Sequence, residues 1–288
     1  MKNPVNCLQN GSDMIILIQC RDKVGLVGAI AGVLAGEQLN IVSMREHVDK
    51  QANRFFVRVE AEQPADAAKL EQQLQAILPM DALVTVNPLP EKKIVVLVTK
   101  EYHCLADILV RQHFKTLGAS VQCVIGNHAT LEGITQRFDI PFHTVSHDQA
   151  DKGRFEENMI EVIQQYSPDY LVLARFMRIL SPGFVAKYPQ RIINIHHSFL
   201  PAFAGAHPYR QAFERGVKMI GATAHFVTNE LDEGPIIAQQ IIPVNHSYTA
   251  SDMIKAGKEI ETTVLAKALR MVFEDRVLVY KNKTVVFE

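Results

Sequence analysis

The chain has 288 residues, and its 30 Lys plus Arg against 31 Asp plus Glu leave a formal net charge of -1. That balance removes the basic footprint that nucleic acid or an anionic membrane would need, and the length exceeds the usual size of one domain, so two are expected. The longest apolar runs, such as 14–18 and 94–98, are strand-length, and residues 1–12 lack a signal-peptide core, so a soluble, cytoplasmic protein acting on a small molecule is expected.

In chain order, residues 14–87 read as strand 14–20, helix 26–38, strand 41–47, strand 54–61, helix 65–78 and strand 82–86. The two helices show their apolar spacing in Leu26, Ile30, Val33, Leu34 and in Leu70, Leu74, Ile77, Leu78. This is a βαββαβ order, the ferredoxin-like split arrangement. Pro88-Leu89-Pro90-Glu91-Lys92-Lys93 breaks the pattern with two prolines and charge, as a linker does. The expected division is therefore 1–87, a linker at 88–93, and 94–288.

Beyond the linker the period lengthens to strand 94–99, helix 105–117, strand 121–126, helix 129–138, strand 142–145, helix 155–166 and strand 170–174. Apolar strands separated by helices indicate an α/β domain with a doubly wound, mainly parallel sheet. A strand at 191–196, a helix near 209–215, antiparallel strands through 222–227 and 235–243, a long helix at 251–273 and a closing hairpin at 277–280 and 284–287 complete the chain.

The strand at 191–196 carries the chemistry. Alternate strand residues share a face, so Asn194, His196 and Ser198 are expected to point one way and His197 the other. Neighbouring histidines on opposite faces do not chelate one ion, and neither an HExxH nor a paired CxxC is present, so no metal is expected. Cys7, Cys20, Cys104 and Cys123 have no pairing rhythm and read as reduced thiols. Asn194, His196 and Asp232 together supply an amide donor, an imidazole and a carboxylate, the groups needed to attack a formamide carbon. Singly, each has a structural reading: a strand cap, a core histidine, and the first residue of the Asp232-Glu233-Gly234 turn.

Two resemblances extend this reading. Asp22-Lys23-Val24-Gly25-Leu26, followed by Leu39-Asn40, resembles the ACT domain, in which the turn before the first helix leaves backbone amides for an amino acid. It implies an effector site at Asp22, Val24, Gly25, Leu26 and Asn40 for glycine or methionine. Pairing of ACT strands into a homo-oligomer, without sensing, is the alternative.

Residues 174–181 (ARFMRILS), 194–201 (NIHHSFLP), 221–227 (GATAHFV) and 231–237 (LDEGPII) are similar in order and spacing to the folate-dependent formyltransferases. With the ACT module in front, nearly all of 14–287 resembles the formyltetrahydrofolate deformylase family. The resemblance implies hydrolysis of 10-formyltetrahydrofolate to tetrahydrofolate and formate, balancing the one-carbon pool for purine synthesis, with water as the second reactant and no cofactor. It implies Asn194, His196 and Asp232 as catalytic residues, and a folate pocket built from Met177, Arg178, Ile179, Leu180, Ser198, Gly205, His225 and Thr228.

Transfer to a ribonucleotide needs a phosphate cradle after the first strand, usually Gly-rich so that backbone amides wrap the anion. Lys100-Glu101-Tyr102-His103-Cys104-Leu105 stands there instead, without a glycine. Water is therefore the expected acceptor; a transformylase with an unrecognised acceptor, and a silent folate-binding sensor, are the alternatives.

Overall fold

The computed structural model describes residues 14–62, 65–87, 91–147, 152–202 and 208–288. Cys7, Gly205, Ala206 and the proline-containing part of the linker lie outside the described residues. The chain divides into two compact units. The first takes the chain up to Pro90 with Glu274–Leu278 and Val285–Glu288, and the second takes Glu91–Phe273 with Val279–Thr284.

The first unit runs β1 (Met14–Arg21), α1 (Leu26–Gly36), β2 (Asn40–Asp49), β3 (Arg54–Glu62), α2 (Ala67–Ile77) and β4 (Leu83–Asn87). Its antiparallel sheet has the order β2-β3-β1-β4. Period-two alternation turns Met14, Ile16, Ile18 and Cys20 of β1 and Phe55, Val57, Val59 and Ala61 of β3 into one core with Leu26, Ile30 and Leu34 of α1 and Leu70 and Leu74 of α2. Asp66 caps α2 by accepting from the amides of Ala68 and Lys69, both at 3.1 Å. The sequence reading gave everything after residue 94 to the second unit, whereas 274–278 and 285–288 cluster with the first. The cause is Arg58, only 7% exposed. Its guanidinium donates to the backbone carbonyls of Asp275 and Glu274, each at 3.1 Å, so a buried cation on β3 is satisfied by the far end of the chain.

The second unit runs β5 (Lys92–Val98), α3 (His103–His113), β6 (Ala119–Gly126), α4 (Glu132–Gln136) behind a single 3-10 turn, β7 (Phe142–Thr144), α5 (Lys152–Tyr166) and β8 (Tyr170–Leu173). It continues with α6 (Pro182–Val185), β9 (Ile192–His196), α7 (Pro208–Arg215), β10 (Met219–Phe226), β11 (Ile236–Pro243) and α8 (Ala250–Phe273). The hairpin β12 (Val277–Tyr280) and β13 (Lys283–Val286) closes the chain. The seven-stranded sheet has the order β11-β10-β9-β8-β5-β6-β7, parallel from β9 to β7 and antiparallel at β10 and β11. Ile94 to Val98 are all fully buried, as expected of a central strand covered on both faces. The chain builds outward from β5 to β7 and returns to β8 on the other side. The carboxyl ends of β5, β8 and β9 thus flank the point where strand order reverses, where open α/β sheets place their sites.

Among the described residues no helix is long and apolar enough to cross a membrane. In α8, Gly257 lets the helix approach Tyr209 of α7: a Cβ there would lie 2.2 Å from the ring. Gly257→Ala should gain up to about 1 kcal/mol of helix propensity and lose about 1–3 kcal/mol to overpacking. The expected result is a lower melting temperature; a rise would mean that this contact does not limit the packing of α8.

Candidate active site

β9 ends at His196, and its antiparallel partner β10 sets His225 opposite Asn194. After β10 the chain turns through Asp232 and returns as β11. Asp232 has φ 58, a left-handed conformation that aspartate tolerates better than most side chains. The turn lies tight against β10. A Cβ on Gly234 would fall 1.7 Å from the carbonyl oxygen of Phe226, so only glycine fits. From outside, the Asn282 amide donates to the Glu233 carbonyl at 2.7 Å and the Thr284 hydroxyl to the Ile236 carbonyl at 2.6 Å.

The result is a compact polar group. The carboxylate Oδ2 of Asp232 lies 3.3 Å from Nδ1 of His196, and its Oδ1 lies 3.8 Å from Nε2 of His225. His225 Nδ1 donates to the Phe226 carbonyl at 2.9 Å. That bond fixes the proton on Nδ1 and leaves Nε2 as an acceptor, so the Asn194 atom 3.3 Å away is the amide nitrogen. One N–H of Asn194 is thereby spent on His225 and the other remains for a ligand. Burial lowers the pKa of His225, so it stands neutral at physiological pH. The same logic orients His196: Nδ1 faces the carboxylate, and Nε2 is buried without a partner among the described residues.

Burial works to raise the Asp232 pKa, but the hydrogen bond and charge from His196 outweigh it and hold the carboxyl below its ordinary value. His197 is pushed down to about 3, first by burial and then by the Arg175 charge, and stays neutral.

Asn194, His196 and Asp232 share one cleft of about 270 Å³ with Met177, Arg178, Ile179, Leu180, His225 and Thr228. Met177 and Ile179 leave 49% and 62% of their surface exposed, which suits the wall of a flat aromatic ligand better than a core. Leu180 is half-buried against the core beneath. Ser198 departs from the expected shared face. The strand ends at His196, the Ser198 hydroxyl donates to the Ala202 carbonyl at 2.7 Å, and the residue lines a neighbouring apolar cavity with His197 and Tyr209.

In the first unit, Gly25 has φ 92 and opens α1, and Val24 beside it is fully exposed. Leu26 is 2% exposed and points into the core, while the Asn40 side chain donates to Glu62 at 2.9 Å across the β2–β3 pair. Of the expected effector site Val24, Gly25 and Asn40 are thus exposed, Asp22 is half-buried and Leu26 is buried.

Sequence reasoning missed Arg175 and Glu261. Glu261, 1% exposed, is bound by His103 Nε2 and the Tyr209 hydroxyl, each at 2.8 Å, and lies 3.3 Å from Arg175. Arg175 has φ 62 and lines the cleft. His103, Cys104 and Glu261 hold potential ligand atoms within 4.8 Å of one another. The set does not suit a cation: both carboxylate oxygens are engaged, Arg175 already supplies positive charge, and burial drives the Cys104 thiol far up. The partially left-handed backbone at 175 is not legible in composition, and a lone glutamate in the long α8 pattern reads as a solvated position.

The fold and the clustered amide, imidazole and carboxylate define an enzyme-like site of the formyltransferase class on an ACT-bearing chain. A formyl transferase family model matches residues 92–269 and an ACT domain model matches residues 14–79. The formyltetrahydrofolate deformylase of Haemophilus influenzae is 49% identical over 272 residues, covering 94% of this chain and 98% of that protein. The crystal structure of a formyltetrahydrofolate deformylase from Pseudomonas syringae pv. tomato superposes with a TM-score of 0.92 at 40% identity, covering 97% of this chain and 96% of that one. A glycinamide ribonucleotide transformylase from Symbiobacterium toebii matches 69% of this chain and 95% of its own, at 30% identity and a TM-score of 0.66. The chain belongs to the formyltetrahydrofolate deformylase family.

Because the folded Asp232 pKa lies below its unfolded value of about 4, the unfolded state binds more protons in that window and stability rises with pH. The carboxylate's contribution is present above about pH 4 and is lost as pH falls through the folded value. Asparagine also tolerates φ near 58, so Asp232→Asn removes the charge without straining the turn. Urea midpoints of the two proteins across this range should diverge as pH rises and then run parallel. A difference that does not vary with pH would mean that the His196 contact contributes no net stabilisation.

Proposed function

We propose that the protein hydrolyses 10-formyltetrahydrofolate to tetrahydrofolate and formate, with Asn194, His196 and Asp232 as its catalytic residues. The observation that carries this reading is the gathering of those three side chains at the end of β9 in one cleft, in a chain of the deformylase family. The pterin lies against the Met177–Leu180 turn, and the formyl group points at Asn194.

Water attacks the formyl carbon, and the carbonyl oxygen takes the electron pair. The free N–H of Asn194 donates to that oxyanion, which is worth about 10²–10³-fold in rate for one such donor. Asp232, held ionised, orients the water and accepts its proton. His196 gives its Nε2 proton to N10 as the C–N10 bond breaks and recovers one at Nδ1 from Asp232, which took it from the water, giving tetrahydrofolate and formate. The neutral state of His225 is part of the device, since a protonated Nε2 could no longer accept from Asn194 and would release that amide from its orientation.

Water is the acceptor because the first βα turn of the second unit is already occupied: Glu101 is paired with Lys258 at 2.6 Å, and glycine is absent from 100–105. Purified protein given 10-formyltetrahydrofolate and no amine should release formate and tetrahydrofolate in equal amounts. Asp232→Asn should lower kcat by about 10²–10⁴-fold with folate affinity largely kept. Absence of formate from the native protein would refute the hydrolase reading, and full activity in the variant would remove Asp232 from the mechanism.

For the ACT unit, the turn from Asp22 to Gly25 is the proposed amino-acid site, with glycine or methionine as effector, and β2, an edge strand, is the proposed surface for pairing copies of the chain in the cytoplasm. Calorimetry of the full-length protein should show heat of binding with one of the two amino acids. No heat with either would leave assembly as the role of this unit.

A further inference from the structure

Arg175 lines the same cleft, and it is the one cleft-lining member of a second charged cluster that hydrolysis itself does not use. At its centre is Glu261 of α8, the most deeply buried carboxylate among the described residues. Burial works to raise its pKa, but the hydrogen bond from His103 and the charge of Arg175 outweigh this, so it stays ionised. A buried charge persists only when paired and hydrogen-bonded, and here three side chains from three elements converge to do so: His103 of α3, Tyr209 of α7 and Arg175 after β8.

Arg175 adds a second, independent observation. A non-glycine residue at φ 62 costs about 1–2 kcal/mol, and a long cationic side chain gains nothing locally to offset it. Its side chain is only 13% exposed. At that backbone conformation its Nε lies 3.3 Å from Glu261 while the residue lines the cleft. His197 connects the cluster to the reacting groups: its ring is 5.1 Å from that of His196 and 6.1 Å from that of Tyr209. The cluster also sits against the start of α3, at the carboxyl end of β5, where a formyltransferase would have to hold an anionic acceptor. Here that place is filled by an ionised carboxylate and its partners.

We propose that Arg175 and Glu261, braced by His103 and Tyr209, are specificity-determining residues that close the acceptor side of the cleft, leaving room for water and excluding primary amines and phosphorylated amines. The inference rests on the hydrolase reading above and deepens it. With the cluster intact, a water oxygen bonds to the formyl carbon, the C–N10 bond breaks, N10 gains a proton and formate leaves with release of one proton. With the cluster removed, an amine nitrogen bonds to the same carbon and loses its proton, and the products are an N-formyl amine and tetrahydrofolate.

The test uses the full-length protein and the double variant Arg175→Gly, Glu261→Gln. Removing both charges together strands neither, and glycine suits φ 62. Each protein is given 10-formyltetrahydrofolate and a concentration series of glycinamide, and the ratio of N-formylglycinamide to formate is read by mass spectrometry. This partition does not depend on how much total activity survives, so a merely structural role would not move it. The native protein should give formate alone, and the variant a ratio raised at least roughly tenfold. A variant that still releases formate without formylating glycinamide overturns the proposal.

If the variant does not fold, the native protein decides. Hydroxylamine, little larger than water, should be formylated above the enzyme-free rate while glycinamide is not; formylation of glycinamide by the native protein overturns the proposal. Native protein that releases no formate without any amine would instead refute the underlying hydrolase reading.

Discussion

The contact between His196 and Asp232 is the constraint on which the second unit's arrangement turns. One partner ends a parallel strand at the centre of a sheet, and the other sits in a left-handed turn between two antiparallel strands at its edge. They meet because β10 reverses beside β9 and because the returning chain at Gly234 can lie against the Phe226 carbonyl. Lose the glycine and the carboxylate moves; lose the antiparallel reversal and there is no edge turn to carry it.

Around that contact the electrostatics divide neatly by burial and partner. His225 and His197 are both desolvated and both driven neutral, whereas Asp232 and Glu261 are desolvated yet remain ionised because cations and hydrogen-bond donors face them. In an apolar setting either carboxyl would take up a proton. Two fixed negative charges with distinct surroundings result, one lining the cleft beside an imidazole and one buried beside Arg175. A neutral imidazole takes one hydrogen of Asn194 and so orients its amide, leaving the other N–H free for the cleft.

Much of this was legible in the residues. Strand and helix order follows from periodicity, since buried strands such as 94–98 and amphipathic helices such as 67–77 carry their burial pattern openly. Ends were less legible: α3 begins at His103 and not at residue 105, because its first turn is polar but still helical. The four-residue α6, capped by the Ser181 hydroxyl, is too short to show a period at all. Asn194, His196 and Asp232, which the motif picks out, meet in one cleft, whereas Ser198 lines a neighbouring cavity because β9 and its alternation end two residues earlier. Arg175 and Glu261 escaped because a backbone dihedral and a tertiary convergence of three helices have no linear signature.

The burial of Arg58 has a consequence for synthesis. Its guanidinium donates to the carbonyls of residues 274 and 275, which are made only after the whole span 91–273. While that span is still being made, Arg58 has the Glu60 carboxylate of its own strand at 3.1 Å but neither carbonyl, so that face of the N-terminal sheet stays open to water. The N-terminal unit is therefore completed only after residues 91–273 have been made, so vectorial folding, in which each module is finished before the next is begun, does not describe this chain.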